Sequence, residues 1–315
     1  MHLAQVAPNA SITDIYGIDI SNDPSKIGFC HLHRSSDRQS WQLCQLASAQ
    51  SFMENVYKNY ITTLSKEDNP TDIIYSLFLQ WLDNELTVKP TLAIGVDLPL
   101  TWTPYERKLL ESSKIQMSSH WFPLHPMESI SSDVERDLDK HFEALLKELR
   151  QNNKDVNLQV LSPIADKIFR TVLQWRAFPF QKTDLYYSPQ PIPQVQAARI
   201  HETFPKVSLA LWGLTNSSYK HNKGQSQGSD NNGNPEDNRK KIFNRLIHKQ
   251  IFTTKSQSDR EQNVTQIMKN DKGGNLLDAL VCAVALAECC MDQGYVLKAD
   301  DGWAYLGRRC PDSKV

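Results

Sequence analysis

No run in this 315-residue chain approaches the roughly 20 consecutive apolar residues that carry a helix across a bilayer, so no membrane-embedded protein is expected. The opening MHLAQVAPNASITD lacks a basic segment followed by an apolar one, and without that secretory pattern the expected location is cytoplasmic. Six cysteines, at 30, 44, 282, 289, 290 and 310, form no C-x-x-C pair and no zinc pattern with histidine. Reduced thiols are expected instead, three of them in the apolar run near the end. Charge of one sign is also missing. The formal net charge is −1 with a pI near 6.8, so no global positive field draws in nucleic acid, and any polyanion site must be local. A Gly-rich phosphate loop is absent too, because the glycine-bearing stretch KGQSQGSDNNG (223–233) is low in complexity and follows no strand. No Ser/His/Asp order stands out, and His31, His33 and His201 read as strand side chains rather than ligands.

What is present is an α/β pattern. DIYGIDIS (14–21), KIGFCHLH (26–33) and SWQLCQLAS (40–48) read as three antiparallel strands separated by turn residues. Helical spacing follows over 51–65 and 71–86, and then comes LAIGVDLPL (92–100). That near-continuous apolar run suits a strand covered on both faces, in the middle of a sheet. Residues 101–193 are less regular and read as an elaboration over the sheet, with a charged helix at 132–151, a short strand NLQVLSP (157–163), a helix near 164–176 and the Pro-rich SPQPIP (188–193). VQAARIHETF (195–204) reads as a strand and PKVSLALWGL (205–214) as a helix begun by proline. Residues 216–237 are rich in Gly, Asn and Ser and predict a mobile polar loop. A basic helix at 238–252, an apolar helix at 274–294 bounded by Gly274 and Gly294, and an edge strand GWAYLGR (302–308) complete a single domain over 1–315.

Four acids stand in apolar settings. Gly17-Ile18-Asp19 and Gly95-Val96-Asp97 each put a glycine on the same strand face as the acid, and glycine inside a strand marks close approach of a ligand or another backbone. Glu202 shares a strand face with Ile200 and Phe204. Asp278 is the single charge between Leu276 and Ala287, with Asn275 one turn earlier as either a helix cap or a ligand. Ionised carboxylates removed from water need a cation, donors or a proton. If the fold gathers these four, their repulsion must be offset by protons or divalent ions, and an all-oxygen set suits Mg²⁺ or Mn²⁺.

The order of elements resembles the ribonuclease H-like fold: a mixed sheet of three antiparallel strands followed by parallel ones, flanked by helices and carrying a helical insertion. More closely, GIDIS (17–21), AIGVDLPL (93–100), TD (183–184), IHETFPKVSLALWGLTNSSYK (200–220) and LLDALVCAVALAE (276–288) resemble domain of unknown function 429, a family of predicted ribonuclease H-like nucleases. The resemblance implies a metal-dependent nuclease in which Asp19, Asp97, Glu202 and Asp278 hold one or two Mg²⁺ or Mn²⁺ ions and act catalytically. It also makes Lys220, of the Y-K motif, a phosphate or substrate contact. Three features depart from that pattern: Gln181 where the family tends to have arginine, an amide at Asn275 where resolvases place an acid, and the polar insertion around 221–235. Nucleic acid is the expected partner, with Arg239, Lys240, Lys241, Arg245 and Lys249 of the basic helix as phosphate contacts or simply as a solvated face. The alternative is a ribonuclease H-like scaffold that binds nucleic acid or a protein without cleaving. A third reading, a sugar-kinase or actin-like ATPase, rests on GIDIS alone.

Overall fold

The computed structural model describes residues 2–5, 11–21, 23–34, 40–61, 70–97, 137–153, 156–158, 200–215, 219–220, 234–248, 252–267, 271, 273–291, 293–299 and 302–308. Along strand β2 (Asp14–Asp19) alternate side chains serve two cores, Ile15 packing to one side and Tyr16 and Ile18 to the other. A strand committed on both faces must lie inside a sheet, and β2 does. It pairs antiparallel with β3 (Gly28–Arg34) and parallel with β5 (Leu92–Asp97). β3 continues antiparallel to β4 (Trp41–Ser48), and β5 parallel to β6 (Ile200–Glu202). With β7 (Phe252–Thr254) parallel to β4, the order is β6-β5-β2-β3-β4-β7. Three antiparallel strands followed by parallel ones is the expected mixed sheet, consistent with a ribonuclease H-like fold.

The crossover from β4 to β5 runs through α1 (Ala49–Val56), α2 (Lys58–Ile61) and α3 (Pro70–Val88), with Ser48 capping α1 by accepting from the Ser51 N–H. Their apolar residues, Met53, Ile74, Phe78 and Leu82 among them, close one face of the sheet over Ile18, Ile94 and Val96. The other face is covered by α8 (Asn275–Cys290), which buries nearly its whole circumference. A helix can be apolar all round when protein surrounds it, and here α5 (Pro205–Leu211) packs on a side that the sheet does not, while α6 (Pro235–His248) adds Ile242, Phe243 and Leu246 to the same core. α4 (Asp137–Asn152) packs with α5 as the helical insertion, and α7 (Gln257–Thr265) follows β7.

Several expectations are corrected. β1 (His2–Gln5) is a strand that composition did not signal, and the strand expected over 302–308 is β9 (Gly302–Leu306), not an edge of the main sheet. Both pair with β8 (Tyr295–Ala299) in a separate three-stranded sheet, joined to the main one where Thr203 bridges Tyr305. Helix α6 begins at Pro235, inside the stretch read as polar loop, because Asn234 accepts from the Glu236 N–H and starts the helix. It ends at His248, and Phe252, read as its last residue, instead opens β7, where it is fully buried. Residues 156–158 form no strand, and the helix near 164–176, SPQPIP, TD (183–184), Gln181, Lys249 and the loop at 221–233 lie outside the described residues. Among the described residues no helix is long and apolar enough to cross a membrane, and five cysteines are free thiols.

Candidate metal centre

Gly17 and Gly95 stand beside one another in the β2–β5 register, as do Asp19 and Asp97. The space the glycines leave is taken by α8. A methyl group on Gly17 would overlap the Ala279 carbonyl oxygen, and one on Gly95 would come within 3.0 Å of the Cys282 carbonyl oxygen. Gly28, the register partner of Asp19, meets the Asn275 carbonyl in the same way. Missing side chains in the strands therefore let the helix backbone lie directly on the sheet, which carries Asp278 in its first turn up to the strand ends. Oxygens of Asp19, Asp97 and Asp278 lie within 4.8 Å of one another. The group sits at the carboxyl ends of two parallel strands and at a helix N-terminus, whose partial positive charge favours carboxylates.

The electrostatics bear the marks of crowded like charge. Burial first, and then the Asp278 carboxylate, hold the Asp19 carboxyl well above its usual range, with Asp97 and Asp271 adding to the rise. Asp97 is pushed up to about 7 by burial, by Asp278 and by Glu202, while Lys220 pulls it down. Lys220 forms an ion pair with Asp278, and the Tyr219 hydroxyl donates to the other Asp278 oxygen at 2.8 Å. Desolvation acts against the Lys220 ammonium, but Asp278, Tyr219 and Asp19 outweigh it and hold it well above the lysine range. The lysine side chain stays 43 % exposed, so water reaches the group from this side. One ammonium faces three carboxylates, and a compact all-oxygen set that is short of positive charge suits a hard divalent cation.

Glu202 does not join the three. It is buried, but it stands in register with Val96, and strand alternation puts it on the face of Val96 and Ile200, opposite that of Asp97. Its charge is still felt by Asp97. Asn275 is no helix cap: Gly274 holds that position with φ +78, and the Asn275 amide donates to the Lys26 carbonyl, tying the helix to the turn before β3.

Arg239 is corrected most sharply. It is fully buried, donating from Nε to the Ile267 carbonyl at 2.8 Å and from a terminal nitrogen to the Tyr219 carbonyl at 2.6 Å, so it braces Tyr219 and Lys220 instead of meeting phosphate. Lys240, Lys241 and Arg245 of the same helix are exposed. Tyr219 and Asp271, both at the site, have no role in the sequence reading. Lys206, in the first turn of α5, is lowered to about 8 by desolvation and by Lys220. Asp271 accepts the Leu277 N–H at 3.0 Å, and burial lifts it to about 6. An acid shortly before a glycine-started helix was the available signal for Asp271.

The family described as protein of unknown function, DUF429, matches residues 71–301, most of the chain and three of the four expected acids. The chain belongs to the DUF429 family. Comparison with curated proteins gave no match, and neither did comparison with solved structures. For this DUF429 member the carboxylate group is therefore read from its own chemistry.

Proposed function

We propose that this chain is a metal-dependent nuclease, hydrolysing phosphodiester bonds of DNA or RNA, with Asp19, Asp97 and Asp278 holding Mg²⁺ or Mn²⁺. The convergence of those three carboxylates beneath a single lysine carries the reading. A bound divalent ion would supply an activated water and charge neutralisation at the leaving oxygen. Asp19 and Asp97, whose protons are held unusually firmly by burial and by the neighbouring carboxylates, would release them to solvent on holding the ion. Glu202, on the other face of the sheet, acts on the group only through its charge on Asp97. Lys220, fixed by Asp278 and by the Arg239 brace behind Tyr219, orients a substrate phosphate, and exposed Lys240, Lys241 and Arg245 add backbone contacts. The free thiols support a reducing, cytoplasmic setting.

The test is an assay of single-stranded, duplex and branched substrates with Mn²⁺ or Mg²⁺, beside Asp19→Asn and Asp278→Asn. Activity in the wild type that falls at least about 100-fold in both variants supports the reading, since one displaced charge in such a site costs on that order. Equal activity in all three proteins points to a contaminant and removes the assigned site.

One observation favours a non-catalytic scaffold: both Asp278 oxygens already have partners, in Tyr219 and Lys220. Calorimetry with Mn²⁺ separates the two readings, because the scaffold takes up no metal at millimolar concentration.

A further inference from the structure

We propose that Asp14, His31 and His33 form a second metal site, for a divalent ion of the zinc class, at the opposite end of β2 from the carboxylates. The three residues come from adjacent strands. Asp14 lies directly across from His33 in the antiparallel register, and His31, two residues away on β3, falls on the same sheet face. His31 Nε2 is 2.8 Å and His33 Nδ1 3.0 Å from the same Asp14 oxygen, Oδ1. One ligand atom from each lies within 4.8 Å of the others. Two imidazole nitrogens and one carboxylate oxygen are the donors that borderline divalent ions prefer, whereas Mg²⁺ selects oxygen alone.

The surroundings hold the ligands as metal sites generally do. The second Asp14 oxygen accepts from the Thr13 hydroxyl at 2.9 Å, and that hydroxyl is 2.7 Å from Thr91 Oγ1, so the carboxylate is fixed from behind. The His31 ring is held edge-on by Tyr16 at 4.9 Å. His33 is 51 % exposed and leaves an approach from solvent. Five strand steps lead from Asp14 to Asp19, about 17 Å at 3.4 Å per step, and the two point to opposite faces, so the sites are independent. The same contacts formed by protons shared between the rings and the carboxylate, with no ion, are the competing description.

Metal-stripped protein titrated with Zn²⁺ in excess Mg²⁺, followed by calorimetry, decides between them. One equivalent of Zn²⁺ is expected to bind, at least about 10-fold more weakly in His33→Ala and in Asp14→Asn, and unchanged in Asp19→Asn and in Cys44→Ser, which removes the half-buried thiol nearby. Co²⁺ in place of Zn²⁺ should give a visible absorption band that His33→Ala abolishes. His33 is exposed enough for its removal to leave the fold intact, which a circular dichroism spectrum checks should Asp14→Asn fail to fold. Absence of stoichiometric Zn²⁺ binding, binding indifferent to His33→Ala, or binding lost in Cys44→Ser overturns the proposal. Because the readout is metal uptake alone, the result does not depend on whether the protein cleaves nucleic acid.

Discussion

Strand β2 ends in an aspartate on each side, and the two meet opposite treatment. Burial acts to raise both. At Asp14 the hydrogen bonds from His31, His33 and Thr13 overcome that burial and hold the carboxyl far below its usual range. At Asp19 burial is reinforced by Asp278 and Asp97, and one lysine does not compensate, so the carboxyl is held well above it. A carboxylate whose needs are met by the protein stabilises the fold. One left short of positive charge costs stability unless something else arrives.

The largest expected effect separates the two ends by pH. Asp97, raised to about 7, keeps its proton in the folded chain where the unfolded chain has lost it, so stability falls as pH rises from about 4 to about 7 and stays low above that. The rise is worth on the order of 4 kcal/mol if it acted alone. Asp97→Asn should therefore stabilise the metal-free protein at pH 8 and be nearly neutral at pH 4. Asp14 has the reverse sign: its contribution is full above the ordinary carboxylate value and lost as pH falls below it, so Asp14→Asn should destabilise at pH 7 and converge on wild type in strong acid. Urea titrations across pH read both, and curves of the same sign would end the contrast.

Next in size is Arg239→Leu. It orphans the buried carbonyls of Tyr219 and Ile267 and removes the cation that Asp271 feels, for about 3 kcal/mol by chemical denaturation. Mn²⁺ affinity should fall with it, while the His31 and His33 end is untouched. Gly17→Ala should cost about 2 kcal/mol in thermal unfolding, because the added methyl meets a helix carbonyl that can yield only by moving Asp278 away from Asp19. The smallest effect is Thr13→Val, about 1 kcal/mol, confined to the Asp14 end.

The contrast was half legible in the sequence. Alternation, turn residues and the apolar run of 92–96 gave the sheet, because these signals are local. The pairing of glycine with acid at 17–19 and 95–97 also spoke directly, although it was another backbone, α8, that filled the gap. What the residues could not say was which side of a strand a distant partner occupies. Glu202 looked equivalent to Asp97 until the register put them on opposite faces. Arg239 looked like one cation among five on a basic helix, and only the turn of α6 toward Tyr219 and Ile267 buried it. His31 and His33 were read strand by strand, and their meaning depends on Asp14, which belongs to the neighbouring strand.

The direct seating of α8 on Gly17, Gly28 and Gly95 also sets when the acidic group can exist. Asp19 and Asp97 are made early and Asp278 late, so a chain still emerging from the ribosome carries the two strand acids without the helix that completes the set. Until residues 275–290 dock, the glycine furrow is open apolar surface and the three carboxylates have not met. The three-carboxylate group is therefore withheld from every partly synthesised copy of the chain.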